Sequence, residues 1–188
     1  MPAGLYVKEK PMKRILSLVL AFFIIISVFS LVSCDKETGL IFELNEDEQS
    51  YTLVSGLSCT DKHIIIPEAY EGLPVTSIGD KAFMASEAME SISIPSSVTS
   101  IDMEAFYSCT SLKEIAIPDS VTQIGKLAFV NCDSLASVTI PASVEIMGYC
   151  VFKHVSEVST VIYCEAESQP STWDEMWNPS EFEVKWGY

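Results

Sequence analysis

Six cysteines, two histidines and a few paired acids are the side chains in this 188-residue chain whose types could carry chemistry. Cys59 and His63 stand four residues apart, and His154 is the only other histidine. A structural zinc centre takes four ligands at defined spacings, and these residues do not supply them. No metal site and no cofactor is expected. The adjacent acids Asp174 and Glu175 are of the type that hydrolyses sugars when two carboxyls flank the scissile bond, but neighbours in sequence read as a solvated pair. Hydroxyls are plentiful, yet there is no Gly-x-Ser-x-Gly turn and no phosphate loop. No catalytic residue is therefore assigned, and the chain is read as a non-enzyme.

Cys34 has different prospects. Lys8, Lys10, Lys13 and Arg14 precede an apolar run from Ile15 to Leu31, which ends in Leu31-Val32-Ser33-Cys34. A basic start, an apolar stretch and small residues before a break form the grammar of an export signal. The ending resembles the bacterial lipobox, in which the chain is cut before a cysteine whose thiol carries diacylglycerol. That resemblance implies cleavage between Ser33 and Cys34, lipid on Cys34, and a protein held at the extracytoplasmic face of the cell envelope. An ordinary signal peptide, or an 18-residue apolar anchor from Ile15 to Val32 left in place, are the alternatives. The sequence Met12-Lys13-Arg14 also offers a second plausible start.

Without residues 1–33 the chain has 7 lysines, no arginine and 25 acids, a formal charge of −18. Such a surface repels phosphates, so nucleic acid is excluded as a partner. Lipidation of Cys34 would leave five cysteines, an odd number that cannot pair completely.

The elements that must position any site are written as a repeat. At a step of 23, Ile94, Ile117 and Ile140 fall in register, followed by Pro95, Pro118 and Pro141, then Val98, Val121 and Val144. Ile101, Ile124 and Met147 come next, then Ala105, Ala128 and Val151, and then Phe106, Phe129 and Phe152. Cys109 and Cys132 share a slot, as do Leu112, Leu135 and Val158. An earlier, degenerate copy carries Ile66-Pro67, Val75, Ile78, Ala82, Phe83 and Met89. A fixed period of this length marks a stacked solenoid, because one such unit cannot bury its apolar faces alone.

Within a unit, Leu112, Ile115 and Ile117 end with period-two alternation, which predicts a short strand closed by proline. Parallel stacking of these strands predicts an interior row of Ile94, Ile117 and Ile140. It also predicts an outward binding face made of Ser91, Glu114, Ser137 and Thr160 beside Ile65, Ser93, Ala116, Thr139 and Ile162. The slot of Gly79, Asp102, Gly125 and Gly148 reads as a left-handed turn or a helix cap, and one helical turn is expected after it. Phe106 is expected in a phenylalanine stack. Cys109 and Cys132 should lie in adjacent coils, either disulfide-bonded or, the preferred reading, free and buried. Cys164 takes the slot of the strand-ending proline.

The stretch "IPSSVTSIDMEAFYSCTSLKEIAIP" resembles the BspA-like leucine-rich repeat, a 23-residue class found in surface proteins of host-associated bacteria. The resemblance implies an α/β solenoid, a right-handed superhelix of about 4–5 coils with a parallel strand column and caps at both ends. The expected organisation is a signal at 1–33, an acidic tether and cap start at 34–50, the solenoid at 51–165 and a C-terminal cap at 166–188. Trp173 and Trp177 form a candidate aromatic patch that either stacks on a ligand or only closes the solenoid, with Trp186 nearby. The function implied is adhesion by a monomeric, lipid-anchored protein to an extracellular protein or glycan of a host matrix or another cell. The alternative is a non-catalytic structural or glycan-binding accessory module of an envelope complex.

Overall fold

A computed structural model describes residues 38–153 and 160–188 in full, and the backbone alone of 32–34. His154, Val155, Val158 and residues 1–31 of the expected signal segment 1–33 lie outside the described residues. The chain winds between two sheets. The first contains β1 (Val32–Cys34), β2 (Ile41–Leu44), β3 (Tyr51–Ser55), β6 (Leu73–Ile78), β8 (Ser100–Ile101), β10 (Gln123–Ile124) and β12 (Ile146–Met147) in that spatial order, with β5 (Ala69–Tyr70) paired antiparallel to β6. The second contains β4 (His63–Ile65), β7 (Ser91–Ser93), β9 (Glu114–Ala116), β11 (Ser137–Ile140), β13 (Val161–Cys164) and β14 (Val184–Trp186), all parallel.

Each turn of the solenoid contributes one strand to the second sheet, so the array has six turns where 4–5 were expected. The difference lies at the C-terminal end, where β14 adds a rung with little of the repeat pattern in its sequence. The interior rows are as the period predicts. Ile94, Ile117 and Ile140 are buried, as are Val98, Val121 and Val144. Phe83, Phe106, Phe129 and Phe152 stack with ring centroids 5.5, 5.3 and 5.3 Å apart and planes within 7° of parallel. A Cβ on Gly56 would overlap the ring of Phe83 at the start of this stack. Trp177 closes its other end, edge-on to Phe152 at 6.1 Å.

The expected helical turn is absent, and the described residues contain no helix, so the α/β expectation gives way to an all-β solenoid. The reason is where the amides go. In the arm after Gly79, the N–H groups of Lys81, Phe83 and Ala85 donate to carbonyls of Met103, Ala105 and Tyr107 in the next coil, while those of Ala82, Met84 and Ser86 close local turns. The same alternation recurs one coil on, where Glu104, Phe106 and Ser108 donate to Lys126, Ala128 and Val130. Backbone at Lys81, Ala85, Glu104, Ser108, Leu127, Asn131 and Cys150 is left-handed, with φ between 52° and 60°. A residue in that conformation every few positions cannot continue a right-handed helix.

The glycine slot is also explained differently. Gly79, Gly125 and Gly148 do not have the left-handed φ. A Cβ on Gly125 would lie 2.6 Å from the carbonyl carbon of Asp102, and one on Gly148 would lie 2.6 Å from the amide nitrogen of Lys126. At Gly125 and Gly148 the slot is selected for close approach of one coil's backbone to the next, whereas Asp102 in the same slot turns its carboxylate to the Ser77 hydroxyl. Left-handed positions instead carry ordinary side chains at a cost of about 1 kcal/mol each. Lys81→Gly is therefore expected to raise the melting temperature by about 2–4 °C in calorimetry. The ion pair to Glu104 that it removes is long, at 3.6 Å, with the lysine exposed, and contributes little.

Candidate functional site

The outward face of the second sheet is built by alternation. In β7, β9 and β11 the central isoleucine or valine enters the core, which turns Ser91, Ser93, Glu114, Ala116, Ser137 and Thr139 away from it. Five of these six are exposed, and Ser91 is half-buried beside His63, whose Nδ1 lies 2.8 Å from its hydroxyl. The structure brings all six together over three adjacent strands.

Thr160 and Ile162 do not join them. Both are fully buried, and the Thr160 hydroxyl donates to the carbonyl of Leu135 at 2.7 Å. The register pairs Thr139 with Tyr163 and Ile140 with Cys164, a step of 24 where β7 to β9 and β9 to β11 step by 23. That one-residue slip turns β13 over relative to the strict count, because side chains alternate with period two. The outward positions there are Val161 and Tyr163, and Cys164 continues the interior isoleucine row instead of replacing proline. The signal was available in β13 itself: Ile162 and Cys164 form the inward pair of an alternating "VIYC". Tyr163 packs against the exposed Tyr188 with ring centroids 4.4 Å apart and planes tilted by 45°, and Lys185 sits over its ring at 5.2 Å, an aromatic and cationic end to the face that repeat counting missed.

Along one edge of the face, Lys62 and Lys113 each approach Glu90 at 2.5 Å. Hydrogen bonds from Lys113 and Lys62 lower the Glu90 carboxyl from its ordinary 4.5 to about 2. A depressed carboxyl stabilises the fold fully above its unfolded value, and that contribution is lost as pH falls from about 4.5 towards 2. Glu90→Gln is therefore expected to flatten the acid dependence of stability across this window, measured by urea unfolding at stepped pH, with little change near pH 7 in the slope of stability against pH.

The candidate aromatic patch is not a platform. Trp173 and Trp177 are both buried, edge-on to each other at 5.2 Å and packed against Trp186. Their indole N–H groups donate to the Val144 carbonyl and the Gln169 side chain at 3.0 and 3.2 Å. The rings cover the core cross-section at the last coil, where an open solenoid end would otherwise expose it to water.

Cys109, Cys132, Cys150 and Cys164 are free thiols and buried, and the buried Cys59 thiol donates to the Thr38 carbonyl at 2.8 Å. Cys109 and Cys132 donate to the carbonyls of Phe83 and Phe106 in the preceding coil at 3.1 and 3.2 Å. Burial pushes the thiols of Cys109 and Cys164 up to about 12, and that of Cys132 well above its usual value, so none is poised as a nucleophile. Among the described residues no three His, Cys, Asp or Glu side chains converge as metal ligands would. The backbone of Ser33 and Cys34 lies in β1, paired with Phe42 and Ile41, and their side chains are outside the described residues.

Stacked 23-residue coils, a phenylalanine spine and one parallel strand per turn define a leucine-rich-repeat solenoid with a flat, polar outer face. The profile of the BspA type leucine rich repeat region matches residues 76–169 in six copies, half of the chain, and the chain belongs to that family. Solved structures agree. A leucine-rich repeat protein of Treponema pallidum is 27% identical with a TM-score of 0.61, over 78% of this chain and 61% of that one. A leucine rich cell surface protein of Faecalibacterium prausnitzii is 27% identical with a TM-score of 0.55, over 74% and 46%. A leucine-rich repeat protein of Bacteroides capillosus is 32% identical with a TM-score of 0.56, over 65% and 93%. The chain thus spans less than two thirds of the first two of these relatives. Among curated proteins none matches it.

Proposed function

We propose that this protein is a non-enzymatic recognition module, tethered by lipid on Cys34 at the outer side of the cell envelope, that attaches as a monomer to an extracellular protein of a host matrix or a neighbouring cell. The observation that carries the reading is the row of Ser93, Ala116 and Thr139 beside Glu114 and Ser137, an exposed face of small side chains laid across consecutive strands. Solenoids offer long open surfaces and little enclosed volume, which suits macromolecules better than turnover of small molecules. The likeness to a cell surface protein of F. prausnitzii supports the location. Burial of Trp173 and Trp177 removes the main support for a glycan platform.

Two measurements test the proposal. Mass spectrometry of the exported protein is expected to find diacylglycerol on an N-terminal Cys34, and an unmodified thiol there would remove the tether. On a matrix-protein array, Ser93→Arg with Thr139→Arg is expected to lower retention at least tenfold without changing the melting temperature, since both positions are exposed. Unchanged retention would move the binding surface elsewhere.

A further inference from the structure

We infer that the open edge of β4, at the rim of the outward face, is a docking site for an extended, cationic peptide strand of a partner protein. The ladder shows which backbone groups are spoken for. Ser91 N–H donates to the Lys62 carbonyl at 3.0 Å and Ile66 N–H donates to the Ser93 carbonyl at 3.1 Å, with Ile64 in register with Ile92. In a parallel ladder this pattern commits Lys62, Ile64 and Ile66 to β7. The N–H and C=O groups of His63 and Ile65 therefore point the other way, and among the described residues no backbone or side-chain group bonds to them. They form two donor and acceptor pairs spaced as a further strand would need.

The β12 end of the first sheet is covered. Asp174 N–H caps the Met147 carbonyl of β12 at 2.8 Å, and the Thr172 hydroxyl reaches the carbonyl of Glu145. At the end of the second sheet, Gly187 and Tyr188 donate to Ala166 and Cys164, extending the pairing of β14 with β13. Exposed edges are usually blunted by lysine, proline or a bulge, yet His63 and Ile65 are neither lysine nor proline, and Ile65 is 71% exposed. Beside the edge lies a cleft of about 190 Å³ lined by Thr38, Cys59, Asp61 and the three residues of β4.

The lining dictates the occupant. A strand laid on β4 would send the side chain level with Ile64 towards Cys59 and Thr38, where a small aliphatic group fits. Its neighbours would lie outward beside His63 and Ile65, where β-branched or long-stemmed residues pack. Asp61 on the cleft, together with 25 acids against 7 lysines from Cys34 onward, selects a positively charged segment.

The test uses the full-length protein in mild detergent and the end-blocked peptide Lys-Val-Thr-Val-Lys. Saturating peptide is expected to slow hydrogen exchange of the His63 and Ile65 amides at least tenfold while leaving Ile92 and Ile115 unchanged. Methylating alternate peptide nitrogens is expected to weaken binding at least tenfold, a control that leaves the protein untouched. Ile65→Pro removes an edge N–H without removing a ladder bond and is expected to lower affinity at least tenfold with the fold retained. Equal binding of the N-methylated peptide, or unaltered exchange at His63 and Ile65, would overturn the site. Equal binding of a Glu-for-Lys peptide would overturn its charge preference. A dimer that forms without peptide and is abolished by Ile65→Pro would assign the edge to a second copy of this chain instead.

Discussion

Phe129→Ala is expected to destabilise the protein by about 3–5 kcal/mol, lowering the melting temperature by roughly 6–20 °C at about 2–4 °C per kcal/mol. Phe129 is fully buried, with near-parallel rings at 5.3 Å on either side, Phe106 and Phe152. Truncation leaves a cavity that neither neighbour can fill, because each is held by its own coil. A solenoid is stabilised chiefly by contacts between adjacent coils, so the loss falls on two interfaces at once. Against a typical total of about 5–15 kcal/mol it is a large fraction. Phe83→Ala, at the end of the stack with one ring neighbour, is expected to cost less. Urea unfolding of both variants checks the order, and a Phe129→Ala protein melting within 2 °C of the parent would mean the spine contributes no cohesion.

Gly125→Ala is expected to cost about 1–3 kcal/mol, a large effect for one added methyl group. The new Cβ would stand 2.6 Å from backbone atoms of Asp102 and Met103, which are fixed by the coil beneath, so the two coils must part. Gly72 provides the contrast. Nothing lies within 4 Å of a Cβ there, and its φ of +85° is the left-handed kind. Gly72→Ala therefore loses only the conformational term, about 1 kcal/mol. Thermal unfolding of the pair separates contact from conformation, and equal losses would refute the close-approach account of the Gly125 slot.

The phenylalanine spine, the isoleucine row and the parallel strand column were legible because each is a property of spacing. A side chain that recurs every 23 residues in a stacked array must meet its own copies. The inward and outward sets of β7, β9 and β11 followed from the same counting. It failed in β13, where one extra residue in the count between Phe152 and Val161 reversed the faces, so that Thr160 and Ile162 enter the core and Tyr163 stays outside. A periodic count carries no information about an insertion until the strand is paired. The arm after each glycine reads as a helical turn because Gly or Asp in that slot suits a helix cap, and nothing local announces that Lys81, Glu104 and Leu127 are held left-handed by bonds to the next coil.

Composition and period by themselves determined that this chain is a solenoid of 23-residue repeats with an acidic surface, since such a unit with apolar flanks has no stable state except beside its like. Whether Trp173 and Trp177 were ligand platform or lid, which thiols were hidden, and which edge was left open depended on where the last and first coils stop. Those are questions of what lies beyond the end of a stack, and only the assembled structure answers them, because the repeat pattern describes the layers and is silent about their ends.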